Sequence, residues 1–143
     1  GVSLLITTDS PMRSLNLQWR GEDRPTDVLS FPATEGGAAA SPALPEQPPP
    51  FLGDIVLNLD AILRQAKEEL PQRLERLGLG HELKAHGEWG VLEEATFLLV
   101  HGVLHLIGHD HHEPAAEKAM VAEEVRLMAP FLRPPWKQQR EAR

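Results

Sequence analysis

The sequence predicts an α+β protein: a small mixed sheet packed with helices, with a cluster of histidines on and just after the central helix. Three observations point there. Three short β-rich runs fall within the first 58 residues. Helical patterns dominate from Asp60 to Met128, so strands and helices do not alternate strictly along the chain. Five of the seven histidines lie between His101 and His112, at the end of the most apolar stretch.

Each element can be justified in chain order. VSLLITT, Val2 to Thr8, is β-rich and is expected as a buried strand. Ser10 is expected to cap a helix with Pro11 at its first position, running through Leu15 and Trp19 to Gly21. TDVLSF, Thr26 to Phe31, reads as a second strand between Pro25 and Pro32. Residues 36–50, GGAAASPALPEQPPP, contain five prolines and no periodicity, and read as a surface loop inside one domain. LGDIVLN, Leu52 to Asn58, is the third strand. Asp60 to Leu77 is helical, with Leu59, Ile62, Leu63, Ala66 and Leu70 on one face and Pro71 breaking or kinking it. Residues 78–90 read as a polar loop. Val91 to Ile107 is apolar almost all round in its second half, as expected of a central buried helix, and Gly108 ends it. Pro114 opens a last helix to about Met128, and Pro130 closes it.

Composition narrows the function classes. At 143 residues the chain is expected to form a single domain, 1–143, with one core. There are no cysteines, so any metal must be held by His, Asp or Glu. The apolar run Ala95 to Ile107 is interrupted by His101 and His105 and falls short of the ~20 residues of a membrane span. The chain opens on Gly1 rather than Met, so a missing or processed start is expected. The net charge of −7 opposes binding to nucleic acid unless the site is locally basic. Candidate cations are Arg13, Arg20 and Arg24 near the start, and Arg133, Lys137, Arg140 and Arg143 at the end.

His101 and His105 are four residues apart on the expected helix, which puts both on one face, one turn apart. Gly108 can turn the chain back, and His111 follows three residues later. His-x3-His-x5-His supplies three nitrogen ligands and leaves a fourth position open, the pattern of a catalytic zinc site. His109 competes with His111 if the helix continues through Gly108. The glycine favours His111, leaving His109 and His112 as bystanders. Asp110 is either a carboxylate that orients a ligand or a turn residue. The spacing is that of the metzincin proteases, H-E-x-x-H-x-x-G-x-x-H, except that Gly102 stands where those proteases carry a glutamate base. The spacing fits metal-activated water, while the missing glutamate argues against a peptidase.

HGVLHLIGHDH, His101 to His111, resembles the H-G-x-L-H-L-x-G-Y-D-H signature of the YbeY family. RGEDRPTDVLSFP, Arg20 to Pro32, resembles that family's R-x-x-D-x-P-T-D-V-L-S-F-P block, and LGDIVLN resembles its L-G-D-I-V-I strand. The three motifs occur in the family's order. The chain departs from the family at His109, where Tyr is usual, and the stretches 36–50 and 73–90 look like insertions. The family commonly has a strand and a helix before the element matching Val2 to Thr8, so the chain is either truncated or reduced at the edge of its fold.

The resemblance implies a metal-dependent, single-strand-selective endoribonuclease acting in small-subunit rRNA maturation and ribosome quality control. It implies one zinc ion per chain at His101, His105 and His111, and a functionally important arginine at Arg20. It implies single-stranded RNA, chiefly rRNA, and the small ribosomal subunit as partners, no membrane and no DNA, and a cytoplasmic or organellar location. A lone arginine at a helix end reads as a surface charge; with the family block around it, Arg20 becomes the catalytic candidate that holds a phosphodiester oxygen. Thr26 and Asp27 are expected to make turns or local hydrogen bonds. Asp54, inside an apolar strand, is expected to pair with Arg20 or a histidine. Trp19 and Trp89 are able to stack on bases, but packing in the core or a loop is the plainer expectation. The alternative functions are a non-catalytic ribosome-assembly factor with a structural zinc site and a metallopeptidase-like zinc hydrolase.

Overall fold

The computed structural model describes residues 1–33, 51–68, 70–78 and 89–132. The proline-rich stretch 36–50, residues 79–88 of the polar stretch, and the cations Arg133, Lys137, Arg140 and Arg143 lie outside the described residues. Strands β1 (Val2–Thr7), β2 (Val28–Pro32) and β3 (Gly53–Asn58) form one mixed sheet in the order β1-β3-β2. β1 runs parallel to β3, and β2 antiparallel to it. The helices are α1 (Asp9–Arg20), α2 (Leu59–Glu68), α3 (Leu70–Leu77), α4 (Val91–Leu106) and α5 (Pro114–Met128), followed by a 3-10 turn, Ala129–Phe131. None of these helices is long and apolar enough to cross a membrane.

The central strand divides its side chains by parity, as a pleated strand must. Ile55 and Leu57 enter the larger core with Ile62, Phe97, Leu98 and Met128. Val56 points the other way, into a smaller core with Met12 and Leu29. Thus α1 covers one face of the sheet, and α2, α4 and α5 build the other. α4 is the central helix that its apolar sequence predicts, packing against β2, β3, α2 and α5.

Four local expectations are corrected. β1 is an exposed edge strand, with Leu4, Leu5 and Ile6 at 47%, 55% and 58% exposure. An aliphatic run specifies extended backbone but not its cover, and the helices of the larger core pack over β2 and β3 instead. The N-cap of α1 is Thr8, not Ser10, and its side chain makes no capping bond. The Asp9 N–H donates instead to Asp60 Oδ2, at 3.0 Å, so a carboxylate on α2 replaces the local cap. Leu59 and Leu63 are exposed on α2 while Ala61, Ile62 and Ala66 are buried, so the inward stripe is narrower than its apolar content. Asp54 is exposed at the start of β3, where parity turns it away from the larger core. α2 spans Leu59–Glu68 and α3 spans Leu70–Leu77, with Pro71 in the first turn of α3, where its missing N–H is not needed.

Asn58 joins the strand ends. It is fully buried; its amide donates to Asp9 Oδ1 (2.8 Å) and the Thr26 carbonyl (3.0 Å). Its Oδ1 accepts from the N–H groups of Asp60 (3.1 Å) and Ala61 (3.4 Å), which caps α2. Arg64 closes the group with two bonds to Asp9, at 2.8 and 3.0 Å.

Gly102 sets how closely α4 approaches the sheet. A Cβ there would lie 3.1 Å from Ser30 Oγ and 3.2 Å from Ile55 Cγ2. The Ser30 hydroxyl donates to the Gly102 carbonyl at 3.0 Å. The position faces the sheet, so a glutamate here would be driven into Ile55 and Ser30. Gly102→Glu is therefore expected to cost on the order of 3 kcal/mol or more in denaturant unfolding, from overpacking and carboxylate burial, and to bring no peptidase activity.

Arg64 and Asn58 hold the Asp9 carboxyl below its ordinary 3.8, at about 2. A depressed carboxylate contributes stability above its unfolded pKa and loses it as pH falls through the folded value. Denaturant midpoints should show a constant gap between the native chain and Asp9→Asn above about pH 5, closing between about pH 4 and pH 2. A gap that does not change with pH would refute this role for the ionised carboxylate.

Candidate metal centre

α4 carries His101 and His105 on one face, and their Nε2 atoms are 3.1 Å apart. Gly108 then adopts φ +102, which favours glycine. The His109 N–H donates to the Leu104 carbonyl at 2.9 Å and the Gly108 N–H to the His105 carbonyl at 3.1 Å, so the helix is closed off. The reversal swings His111 over the other two imidazoles, with ring centroids 5.4 Å from His105 and 6.3 Å from His101. One ligand atom from each of His101, His105 and His111 lies within 4.8 Å of the others, a group able to hold a metal ion. His109 is outside this group, and His112 stacks beside His111 at 4.9 Å. Asp110 takes the turn role, accepting the His112 N–H at 2.6 Å.

A buried carboxylate orients the first imidazole. Glu124 of α5 is fully buried, and its Oε2 lies 2.9 Å from His101 Nδ1. Its Oε1 accepts from Arg76 Nε at 2.7 Å, and Arg76 also bonds Glu117. Burial pushes the Glu124 carboxyl up, but the bonds from His101 and Arg76 outweigh it and leave its pKa lowered. An ionised carboxylate only accepts, so Nδ1 of His101 carries a proton, and the tautomer this selects is the one whose Nε2 can bind a metal. Burial, and then the nearby His101 and His111, lower the His105 pKa and favour the neutral ring that a metal requires.

Behind His101 the chain stacks aromatic and cationic groups. Phe97 lies against the His101 ring with centroids 6.0 Å apart, and the Arg73 guanidinium sits 4.4 Å from the Phe97 centroid. Arg73 grips buried Glu94 through two bonds of 3.0 Å, and Trp89 Nε1 donates to the same carboxylate at 3.2 Å. Trp89 is thus a packing residue.

Sequence reasoning passed over Glu124 and Glu94, yet both carried a signal. Glu124 lies four residues from each of the buried Met120 and Met128, on the inward stripe of α5. Glu94 is three and four residues from buried Phe97 and Leu98. A carboxylate in register with a buried face asks for a cation, and α3 supplies Arg73 and Arg76.

The three histidines form one wall of a cavity of about 550 Å³, and Trp19, Arg20 and Phe31 line it from α1 and β2. Gly21, with φ +73, ends α1 directly after Arg20. Arg13, Arg24, Arg64, Arg73, Arg76 and Arg126 each hold a carboxylate; Arg20 alone among the described arginines has no ion pair. Asp54 does not pair with it. Thr26 and Asp27 make the expected local bonds, Asp27 Oδ1 accepting the Val28 N–H at 2.8 Å.

Fold and site together define an α+β protein whose buried helix and following turn assemble a three-histidine cluster beside a free guanidinium. The profile of the family described as Endoribonuclease YbeY matches residues 1–131. The chain is 39% identical over 128 residues to an Endoribonuclease YbeY of Erythrobacter litoralis, covering 89% of this chain and 68% of that one. It is 37% identical over 126 residues to one from Anaeromyxobacter sp. (88% and 52%) and 36% identical over 128 residues to one from Nitrobacter winogradskyi (90% and 56%). The chain belongs to the YbeY family, and it spans about half the length of the last two relatives.

Removing Glu124 tests the orientation of His101. Glu124→Ala should weaken metal binding by about 10- to 100-fold in competition titrations with a chelating dye. It should also destabilise the fold by on the order of 3 kcal/mol, because Arg76 loses a buried partner. Glu124→Gln, which keeps an acceptor for Nδ1–H, should recover much of the affinity. Equal affinity in all three proteins would remove Glu124 from the site.

Proposed function

We propose that this chain is a zinc-dependent endoribonuclease that hydrolyses phosphodiester bonds of single-stranded RNA in the maturation and quality control of small-subunit rRNA. The observation that carries this reading is the isolation of Arg20. In an acidic protein whose other described arginines are all paired, one uncommitted guanidinium lines the same cavity as the histidine cluster. A phosphodiester bears negative charge, and its hydrolysis builds more on the non-bridging oxygens. A guanidinium can hold two such oxygens in parallel. The names of the YbeY relatives support an RNA substrate.

The residues fit a nitrogen-ligated ion. Histidine nitrogens at ~2.0–2.1 Å around a tetrahedral zinc sit roughly 3.3–3.4 Å apart, and the two Nε2 atoms here are 3.1 Å apart. His101, His105 and His111 would hold the ion through one nitrogen each. When bound, zinc supplies Lewis acidity, lowering the pKa of a water to ~7 and offsetting charge on a phosphoryl oxygen. The protein's own groups do the rest. Glu124 keeps the His101 proton on Nδ1, Arg20 in the same cavity takes the phosphate charge, and Ser30 pins β2 to α4.

Cleavage of a single-stranded rRNA fragment tests the reading. Arg20→Ala, with unchanged circular dichroism and zinc content, should lose about 10²- to 10³-fold in kcat/KM. His101→Ala and chelator treatment should abolish cleavage, and added zinc should restore only the chelated native chain. Folded Arg20→Ala and His101→Ala proteins that cleave at the native rate would sink the proposal.

A further inference from the structure

We infer that Trp19 and Phe31 form a nucleobase subsite that seats an unpaired base beside the phosphate held by Arg20. The inference rests on the RNA reading above and adds a binding role to two residues outside the histidine cluster.

Trp19 is a large apolar ring left in water. It is 63% exposed, although packing was its plainer expectation, and it lines the same cavity as the histidines. It is nevertheless held in place. Phe31 packs on it at a centroid distance of 5.9 Å and an interplanar angle of 70°. An edge-to-face contact of this kind occupies at most one face of the indole and leaves the other open.

Both rings stand on rigid backbone. Trp19 is in the last turn of α1, whose end is closed by Gly21 and by the Glu22 N–H on the Asn16 carbonyl at 3.3 Å. The Asn16 side chain is fully buried and donates to the Arg24 carbonyl at 2.8 Å, which ties down the following loop. Phe31 is fixed by the β2–β3 ladder opposite Asp54, and Ser30 next to it is bonded to α4. The aromatic pair and the histidines thus line one cavity on fixed backbone.

Adjacency along the chain gives the step its chemistry. Trp19 and Arg20 close α1 and both line the cavity, so a flat apolar surface and a free cation border the same space. A nucleotide presents the same pair of features, a π-face and a phosphate. Stacking uses the face that duplex RNA already buries against its neighbours, so an unpaired base is the form that fits. A peptide would bring no comparable face at each residue.

The test measures binding rather than turnover. Fluorescence anisotropy of a labelled single-stranded RNA oligonucleotide on the intact, zinc-loaded chain, with a cleavage-resistant backbone, gives the reference affinity. Trp19→Ala should weaken it about five- to hundredfold and Trp19→Phe much less. Abasic positions scanned along the oligonucleotide should produce a similar loss at one or two sites, and that arm needs no protein variant. In Trp19→Ala those abasic sites should cost nothing further, because the side chain and the base act as one pair. Independent, additive losses, or an abasic scan without effect on the native chain, would overturn the subsite. If the native chain cleaves RNA in an Arg20-dependent way while Trp19→Ala binds normally, the subsite fails and the nuclease reading stands. If it neither binds nor cleaves RNA, both fall.

Discussion

The contact between α4 and the sheet at Gly102 is the constraint on which the rest of the structure depends. Without a side chain there, the helix settles onto Ile55 and accepts a hydrogen bond from Ser30. That seating buries Phe97, Leu98 and Leu104 and leaves His101 and His105 only partly covered at the cavity wall. It also fixes β2, and with it Phe31, relative to the histidines. A bulkier residue would force helix and sheet apart, and interiors packed near crystal density transmit such a shift. The glycine that removes a protease-like glutamate is thus the residue that lets the cavity form.

Charge is organised around the same helix. The chain is acidic overall, yet among the described residues two carboxylates, Glu94 and Glu124, are fully buried. Each is held by an arginine from α3, a helix that also buries Leu74 and Leu77 in the core. Buried pairs of this kind cost desolvation and are a weak source of net stability. Their physical effect here is directional. Glu124 selects one tautomer of His101, and Arg73 lies across Phe97, which backs the same ring. Committing the other described arginines to carboxylates also leaves Arg20 as the free cation of the cavity.

Much of the fold was legible in the sequence because it rests on local rules. The runs around Leu29 and Ile55 are short, apolar and bounded by proline or glycine, and they became β2 and β3. Pro114 opened a helix, and Gly21 and Gly108 closed helices, each through its own φ preference. The errors were errors of partnership. Val2 to Thr7 reads as strand whichever way it faces, and only the placement of the helices leaves it at an exposed edge. Trp19 has the composition of a core residue and lies on a surface. Asp54 sits among apolar neighbours in sequence and in water in space, because a strand alternates its faces.

The sequence by itself determined which three histidines converge. A one-turn spacing on a helix and a glycine that reverses the chain are local geometry, and local geometry is encoded within a dozen residues. What only the tertiary structure decided is everything that approaches those histidines from elsewhere. Glu124 reaches His101 across 23 positions of sequence, and Arg76 reaches Glu124 across 48. Arg20 and Trp19 arrive from the first helix. No periodicity or spacing reports such meetings, because they follow from how the helices pack on the sheet rather than from the conformation of any one segment.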